Sequence, residues 1–247
     1  MINVAGITTV VGRVLKQQIF TSSGTWVRPA NVNLVHVFMC GGGAGGGDVY
    51  LLGGGGSGYP VDEDVAVSGD VTVTIGAGGA SKSNGGNTSF GSVVAEGGKV
   101  PLFKGWGGNG GAGGGAGISK DSIDPKYGAL PLGNAYVFPG GLGFNGSNGG
   151  AAYHDEIKVS PAGTGGFGKM PGGRGGNYAT LPAGSYSTLL AGGGGGGWYS
   201  GVNASNGDGD DTRFGYGGQG YGAGGGGSIS TSGGAGAQGI CIVTWWE

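Results

Sequence analysis

Gly105-Trp106-Gly107-Gly108-Asn109-Gly110-Gly111-Ala112-Gly113-Gly114 is the stretch on which the reading of this chain turns. Its non-glycine residues, Trp106, Asn109 and Ala112, recur at every third position; Thr164, Phe167 and Met170 repeat the spacing, as do Tyr216 and Gln219. Three residues per turn is the period of the extended left-handed helix, which rises about 3.1 Å per residue and makes no hydrogen bonds within itself. Its amides and carbonyls must therefore bond to neighbours. With two positions in three occupied by glycine, two edges of such a helix can be approached closely, and the third projects a side chain.

Comparable glycine-rich runs lie near 41–47, 53–58, 76–79, 105–117, 140–150, 163–176, 192–197, 215–227 and 233–239. Glycine makes up 71 of 247 residues, against a usual share of about 7%. Each glycine loses more backbone freedom on folding than any other residue and buries no side chain, so such runs either stay disordered or recover the cost through dense backbone contact. A flexible linker would be serine-rich and monotonous. Here the runs alternate with Trp, Tyr, Leu and Val and are bracketed by strand patterns, which predicts a bundle of up-and-down glycine helices. The run 105–117, read as a single member, would span roughly 40 Å.

On either side the pattern is β. Val32, Leu34, His36 and Phe38 alternate with Asn33, Val35, Val37 and Met39, which reads as a strand covered on both sides. Val71, Val73 and Ile75 alternate with Thr72 and Thr74 in a half-buried strand. Phe20 and Trp26 flank a tight turn at Thr21–Thr25. The last strand, Ile240-Cys241-Ile242-Val243-Thr244-Trp245-Trp246, is expected to return to the first sheet, making the glycine-rich middle an excursion from a β base. The predicted fold is mainly β and irregular, a β base carrying a bundle of polyglycine II-type helices joined by exposed loops, with essentially no α-helix.

Charged residues make up 11% of the chain and the formal net charge is −2, which is neither a nucleic-acid footprint nor a self-repelling disordered composition. The longest apolar stretches fall far short of the roughly 20 residues of a membrane helix, and the first 20 residues do not read as a signal peptide. No nucleic-acid partner and no membrane insertion are expected. Cys40 and Cys241 lack metal-ligand spacing. They read as free buried thiols in preference to a disulfide joining the first and last strands.

Between the glycine runs lie dissimilar segments, 48–52, 118–138, 151–162, 177–190, 198–214 and 228–232, rich in aromatic side chains. Tyrosine supplies large amphipathic contact area at low entropic cost, and loops on a rigid scaffold are where binding residues concentrate. The candidate binding residues are Tyr127, Tyr136, Tyr153, Tyr178, Tyr186, Trp198, Tyr199 and Phe214. Trp26, Phe38, Phe90, Trp245 and Trp246 read instead as core, and Trp106, Phe167 and Tyr216 as cover for the bundle.

Ile19-Phe20-Thr21-Ser22-Ser23-Gly24-Thr25-Trp26-Val27-Arg28-Pro29, then a strand and Gly41-Gly42-Gly43-Ala44-Gly45-Gly46-Gly47, and the closing Gly239-Ile240-Cys241-Ile242-Val243-Thr244-Trp245 together resemble the glycine-rich domain of bacteriophage tail-fibre and receptor-binding proteins. More loosely, the chain is similar to the adhesins that cap the long tail fibres of T-even-like phages. The resemblance implies a sandwich of polyglycine-type helices with host contacts made by distal loops. It implies a virion protein at the distal tail fibre, made in the host cytoplasm, whose partner is a bacterial outer-membrane protein or polysaccharide. On this reading residues 1–17 attach to the fibre shaft or to copies of the chain, 18–98 with 236–247 form the β base, and 99–235 form the bundle with its receptor-facing loops. Met1 to Gln17 do not match the adhesins' attachment region, and a plain N-terminal strand is the competing reading there.

Little supports catalysis. His36 reads as a satisfied core residue, His154-Asp155-Glu156 comes with no nucleophile motif, and matches to G-x-G-x-x-G arise by chance at this glycine content, without G-K-[ST] or a following helix. No enzyme activity and no cofactor are expected. Asn206-Gly207-Asp208-Gly209-Asp210-Asp211 offers closely spaced carboxylates to a cation but lacks a downstream bidentate glutamate, so it reads as a solvated loop tip and no metal site is assigned. The competing functions are a passive structural protein and an ice-binding protein, the latter disfavoured by third positions as irregular in size as Trp106, Asn109, Phe167, Met170 and Tyr216.

Overall fold

The computed structural model describes residues 12–48, 51–103, 105–119, 130–132, 135–155, 163, 165–166, 189–190, 192–198, 217–228 and 232–247. Among them there is no helix, and the strands form antiparallel sheets. One sheet has the order β1 (Leu15–Phe20), β13 (Ile240–Trp246), β3 (Leu34–Cys40), β4 (Pro60–Ala66); the other has β2 (Gly24–Trp26), β5 (Val71–Thr74), β6 (Thr88–Phe90), β7 (Val93–Ala95). The C-terminal strand enters the middle of the first sheet, with Ile240 opposite Cys40 and Phe20 opposite Cys241.

The two sheets pack face to face. Val35, Val37, Met39, Cys241 and Val243 from the first meet Trp26, Val73, Phe90 and Ala95 from the second. Trp26 is fully buried and stands edge-on to Phe90 and Trp245. Burying aromatic and branched side chains of this size stabilises by about 1.5–3 kcal/mol each, so this layer supplies the apolar core that glycine cannot.

β3 corrects the expectation of a strand covered on both sides. Val35, Val37 and Met39 are buried, but Leu34 and His36 are exposed on the opposite face. His36 is therefore not a core residue. Its Nε2 lies 2.8 Å from Asp62 and its Nδ1 2.9 Å from Asp64, both on β4. The outer face of the first sheet is covered only toward the C-terminal end of β3, where Cys40, Ile240 and Ile242 pack with Ala112 and Trp198. Cys40 and Cys241 are both free, and they belong to opposite faces of the sheet, Cys241 in the inter-sheet core and Cys40 beneath the glycine runs. Alternation along neighbouring strands thus separates the two thiols.

From the sandwich the chain makes repeated glycine-rich passes, held by backbone bonds. The run 41–47 shows the rule. Gly42 and Gly45 donate to Gly86 and Ser83, Gly43 and Gly46 to Ala237 and Gly234, Ala44 and Gly47 to Gly56 and Gly53. Its carbonyls accept from Gly79 and Lys82, from Gly225 and Ser228, and from Gly98. Each third residue addresses the same neighbour, as a threefold helix requires, and six segments surround the run. The run 53–58 is surrounded in the same way by 44–47, 96–99, 108–111, 112–115, 192–195 and 222–225.

Two expectations change at this level. Inner passes project no side chain outward: Ala44, Ser57, Ala112, Ala116, Ala223 and Ser228 are all fully buried, because six neighbours close every edge. Nor is 105–117 one long rod. It runs alongside 54–57 through Gly108 and Gly111, reverses at Gly111-Ala112, and returns with Ser57 and Gly54 donating to Ala112 and Gly115. The reversal falls where the pass reaches the sandwich: a side chain at Gly111 would meet Trp198 and Pro60. Each pass is thereby limited to six or seven residues, roughly 20 Å at this rise.

Candidate receptor-binding surface

Hydrogen-bond register defines the two ends of the array. Gly41 and Gly58 adjoin β3 and β4, so their level is the sandwich end; Gly58 donates to Gly222, and Gly222 to Gln238. At the far end Gly105 donates to Leu51, Gly117 to Gly105, Gly192 to Leu52, and Ser228 to Gly47. Gly150 and Gly163 join this level through Ala116. The described strands beyond it are β8 (Ile118–Ser119), β9 (Leu130–Leu132), β10 (Ala135–Phe138), β11 (Ala152–Asp155) and β12 (Leu189–Leu190).

These strands form two small sheets, β12 with β8 and β11-β10-β9. The second places Tyr136 and Tyr153 on adjoining strands but on opposite faces of that small sheet, since Tyr136 pairs with His154 and Tyr153 with Val137. Phe138 is fully buried where β10 feeds back into the array, against Gly105, which has a φ of +82°. Glycine is needed there twice over, for the left-handed backbone and for room beside the ring. A half-buried ion pair fastens the same end: Lys82 Nζ, on a side chain 48% exposed, lies 2.7 Å from Asp48, whose side chain is 2% exposed.

Trp198 has a different place. It sits at the sandwich end, buried at 6% exposure, with its indole nitrogen donating to the Gly58 carbonyl at 2.7 Å and its ring against Cys40, Ala112 and Ile240. It is an interior residue and not a loop aromatic. The sequence places it directly after six glycines, and only the reversal of neighbouring passes against the sandwich creates the pocket it fills. Tyr127, Tyr178, Tyr186, Tyr199 and Phe214 lie outside the described residues, as do Phe167, Tyr216 and the acidic stretch 206–211. Among the described residues no group of three or more His, Cys, Asp or Glu could hold a metal.

One exposed apolar group escaped the sequence reading. Leu102 and Phe103 are 72% and 47% exposed just before Gly105 at the far end, and the Phe103 ring stands edge-on to Trp106 at 5.0 Å. The signal was present in Pro101-Leu102-Phe103, three apolar residues between glycine passes, but apolar residues there are equally compatible with core.

The fold and this surface define a class of protein without helix among its described residues: a β-sandwich carrying a hexagonally bonded glycine array with a small β platform at its far end. A sequence profile of the glycine-rich domain family matches residues 20–246, and the chain belongs to that family. No curated protein matches the sequence.

Proposed function

We propose that this protein is the tip adhesin of a bacteriophage tail fibre, a non-catalytic virion protein that recognises an outer-membrane protein or a polysaccharide on the bacterial surface. The observation that carries the reading is the common level of Gly105, Gly117, Gly150 and Gly192, which delivers the ends of several dissimilar, aromatic-bearing connections to one face, away from the sandwich. A scaffold bonded through its backbone on every side tolerates change in such connections, which is what a surface selected against varied receptors requires. The contact residues on this reading are Tyr136 and Tyr153, one on each face of the platform, Tyr127, Tyr178 and Tyr186 of the connections that leave from this level, and Phe103 at the rim; Trp198 is withdrawn from the set, and with it Tyr199 and Phe214, whose connection departs from Trp198 at the sandwich end. Attachment to the shaft or to further copies falls to residues 1–17, of which Leu15–Gln17 lie in β1.

Labelled protein applied to a panel of bacterial strains, intact and after surface-protein digestion, tests the proposal. Binding to a narrow subset of strains is expected, lost on digestion for a protein receptor and retained for a polysaccharide. The joint substitution Tyr136→Ala and Tyr153→Ala should weaken binding at least about thirtyfold, the scale of one interface hot spot, with an unchanged melting temperature. Absence of binding to every strain, by a protein that is folded, would overturn the proposal.

A further inference from the structure

Among the described residues, the two outer edges of the first sheet are unpaired and differ sharply in charge. Among those residues β1 is exposed from Leu15 through Ile19 and bonds to β13 along one side only. Arg13 and Lys16 stand on or beside this edge, and no acidic residue occurs between Gly12 and Ser23. At the opposite edge β4 carries Asp62, Glu63 and Asp64 in succession, all exposed, with no Lys or Arg in the strand. Asp62 and Asp64 turn toward His36, and Lys16 rests 4.0 Å from Glu247.

We propose that the chain associates with further copies of itself head to tail, β1 of one copy adding to the β4 edge of the next. An exposed strand edge is a template for pairing through its unbonded N–H and C=O groups, and an added strand gains main-chain bonds along its length. Charge selects which edges meet. Pairing β1 with β1 brings Arg13 and Lys16 against their own copies, and pairing β4 with β4 opposes three carboxylates to three, both unfavourable for directly opposed strands. Pairing β1 with β4 sets two cations against three anions. The two edges lie at opposite sides of one sheet, so the contact is heterologous and repeats until a ring closes. A neighbouring strand would also cover Leu15 and Ile19, exposed at 53% and 46%. Association of this kind does not depend on the receptor-binding reading, and its readout is separate from host binding.

Sedimentation of the full chain at about 100 μM, where a micromolar contact is populated, should give an assembly larger than a monomer. Lys16→Glu with Gln18→Glu should yield a monomer, and so should Glu63→Lys with Asp64→Lys. All four substitutions in one chain restore opposite charges and should restore the assembly. The near-ultraviolet signal of Trp26 and Trp245 reports that each variant is folded. A monomeric parent chain would mean that the charges only blunt the two edges, and would overturn the proposal. So would half-exchanged variants that remain assembled, or a folded four-fold variant that stays monomeric.

Discussion

A methyl group added to Gly43 would land on the Ala223 carbonyl, and one added to Gly54 on the Gly193 carbonyl, whereas at Gly12 and Gly69 nothing lies within 4 Å. Chemically identical substitutions therefore have opposite expected outcomes. Gly43→Ala and Gly54→Ala should each destabilise by about 3 kcal/mol or more, since the obstructing atoms are backbone held on all sides. Gly12→Ala and Gly69→Ala should be neutral or stabilise by up to about 1 kcal/mol, by restricting the unfolded chain. Denaturant melts of the four variants check this. The cysteines give a pH dependence. Burial pushes the thiols of Cys40 and Cys241 up to about 12 from 9.0. The folded protein keeps these protons when the unfolded chain releases them, so their contribution to stability is full below about pH 9 and declines as pH rises toward 12. The urea midpoint should fall between about pH 8 and about pH 10.5, and replacing both cysteines by alanine should flatten that slope. An unchanged slope would locate the titration elsewhere.

Among elements, the reversal at Gly111-Ala112 and the last strand control the most. Ser57 Oγ accepts from the Ala112 amide at 2.7 Å while the Ser57 amide donates to the Ala112 carbonyl, both buried. Ser57→Ala leaves that amide without its acceptor in the interior and should cost about 1–3 kcal/mol, with faster hydrogen exchange at Ala112. β13 lies between β1 and β3 and carries the buried Ile240, Cys241 and Val243. Removal of residues 240–247 should abolish the cooperative thermal transition, because it removes the centre of one sheet and part of the core. The strand was legible at sequence level because its apolar run, Ile240 to Val243, is unbroken. The reversal was not: glycine fits either a straight run or a turn, and what stops the run is Trp198 with Pro60 at the sandwich surface.

Across the whole molecule, stability is divided between an apolar sandwich and a backbone lattice. Gly42 to Gly47 bond to segments near 56, 86, 98, 225 and 237, so the lattice cannot form piecemeal. Hydrogen exchange at these amides should be as slow as in β13, despite the glycine content, if the lattice opens only on global unfolding. Exchange as fast as in an unfolded peptide would show that the passes are held singly. Pairings so distant in sequence also predict slow refolding relative to helical proteins of this length.

The sequence by itself determined the kind of matter this protein is made of: a three-residue glycine period with the geometry of polyglycine II, strands at both ends, and a last strand returning to the first sheet. Those properties reside in local periodicity and in the conformational range of single residues. Only the tertiary structure decided which edges of each pass are closed, that 105–117 doubles back, that His36 faces outward between Asp62 and Asp64, and that Trp198 is interior. Each of these depends on which segment arrives alongside, and in runs where most positions are glycine the side chains that would announce a neighbour are missing.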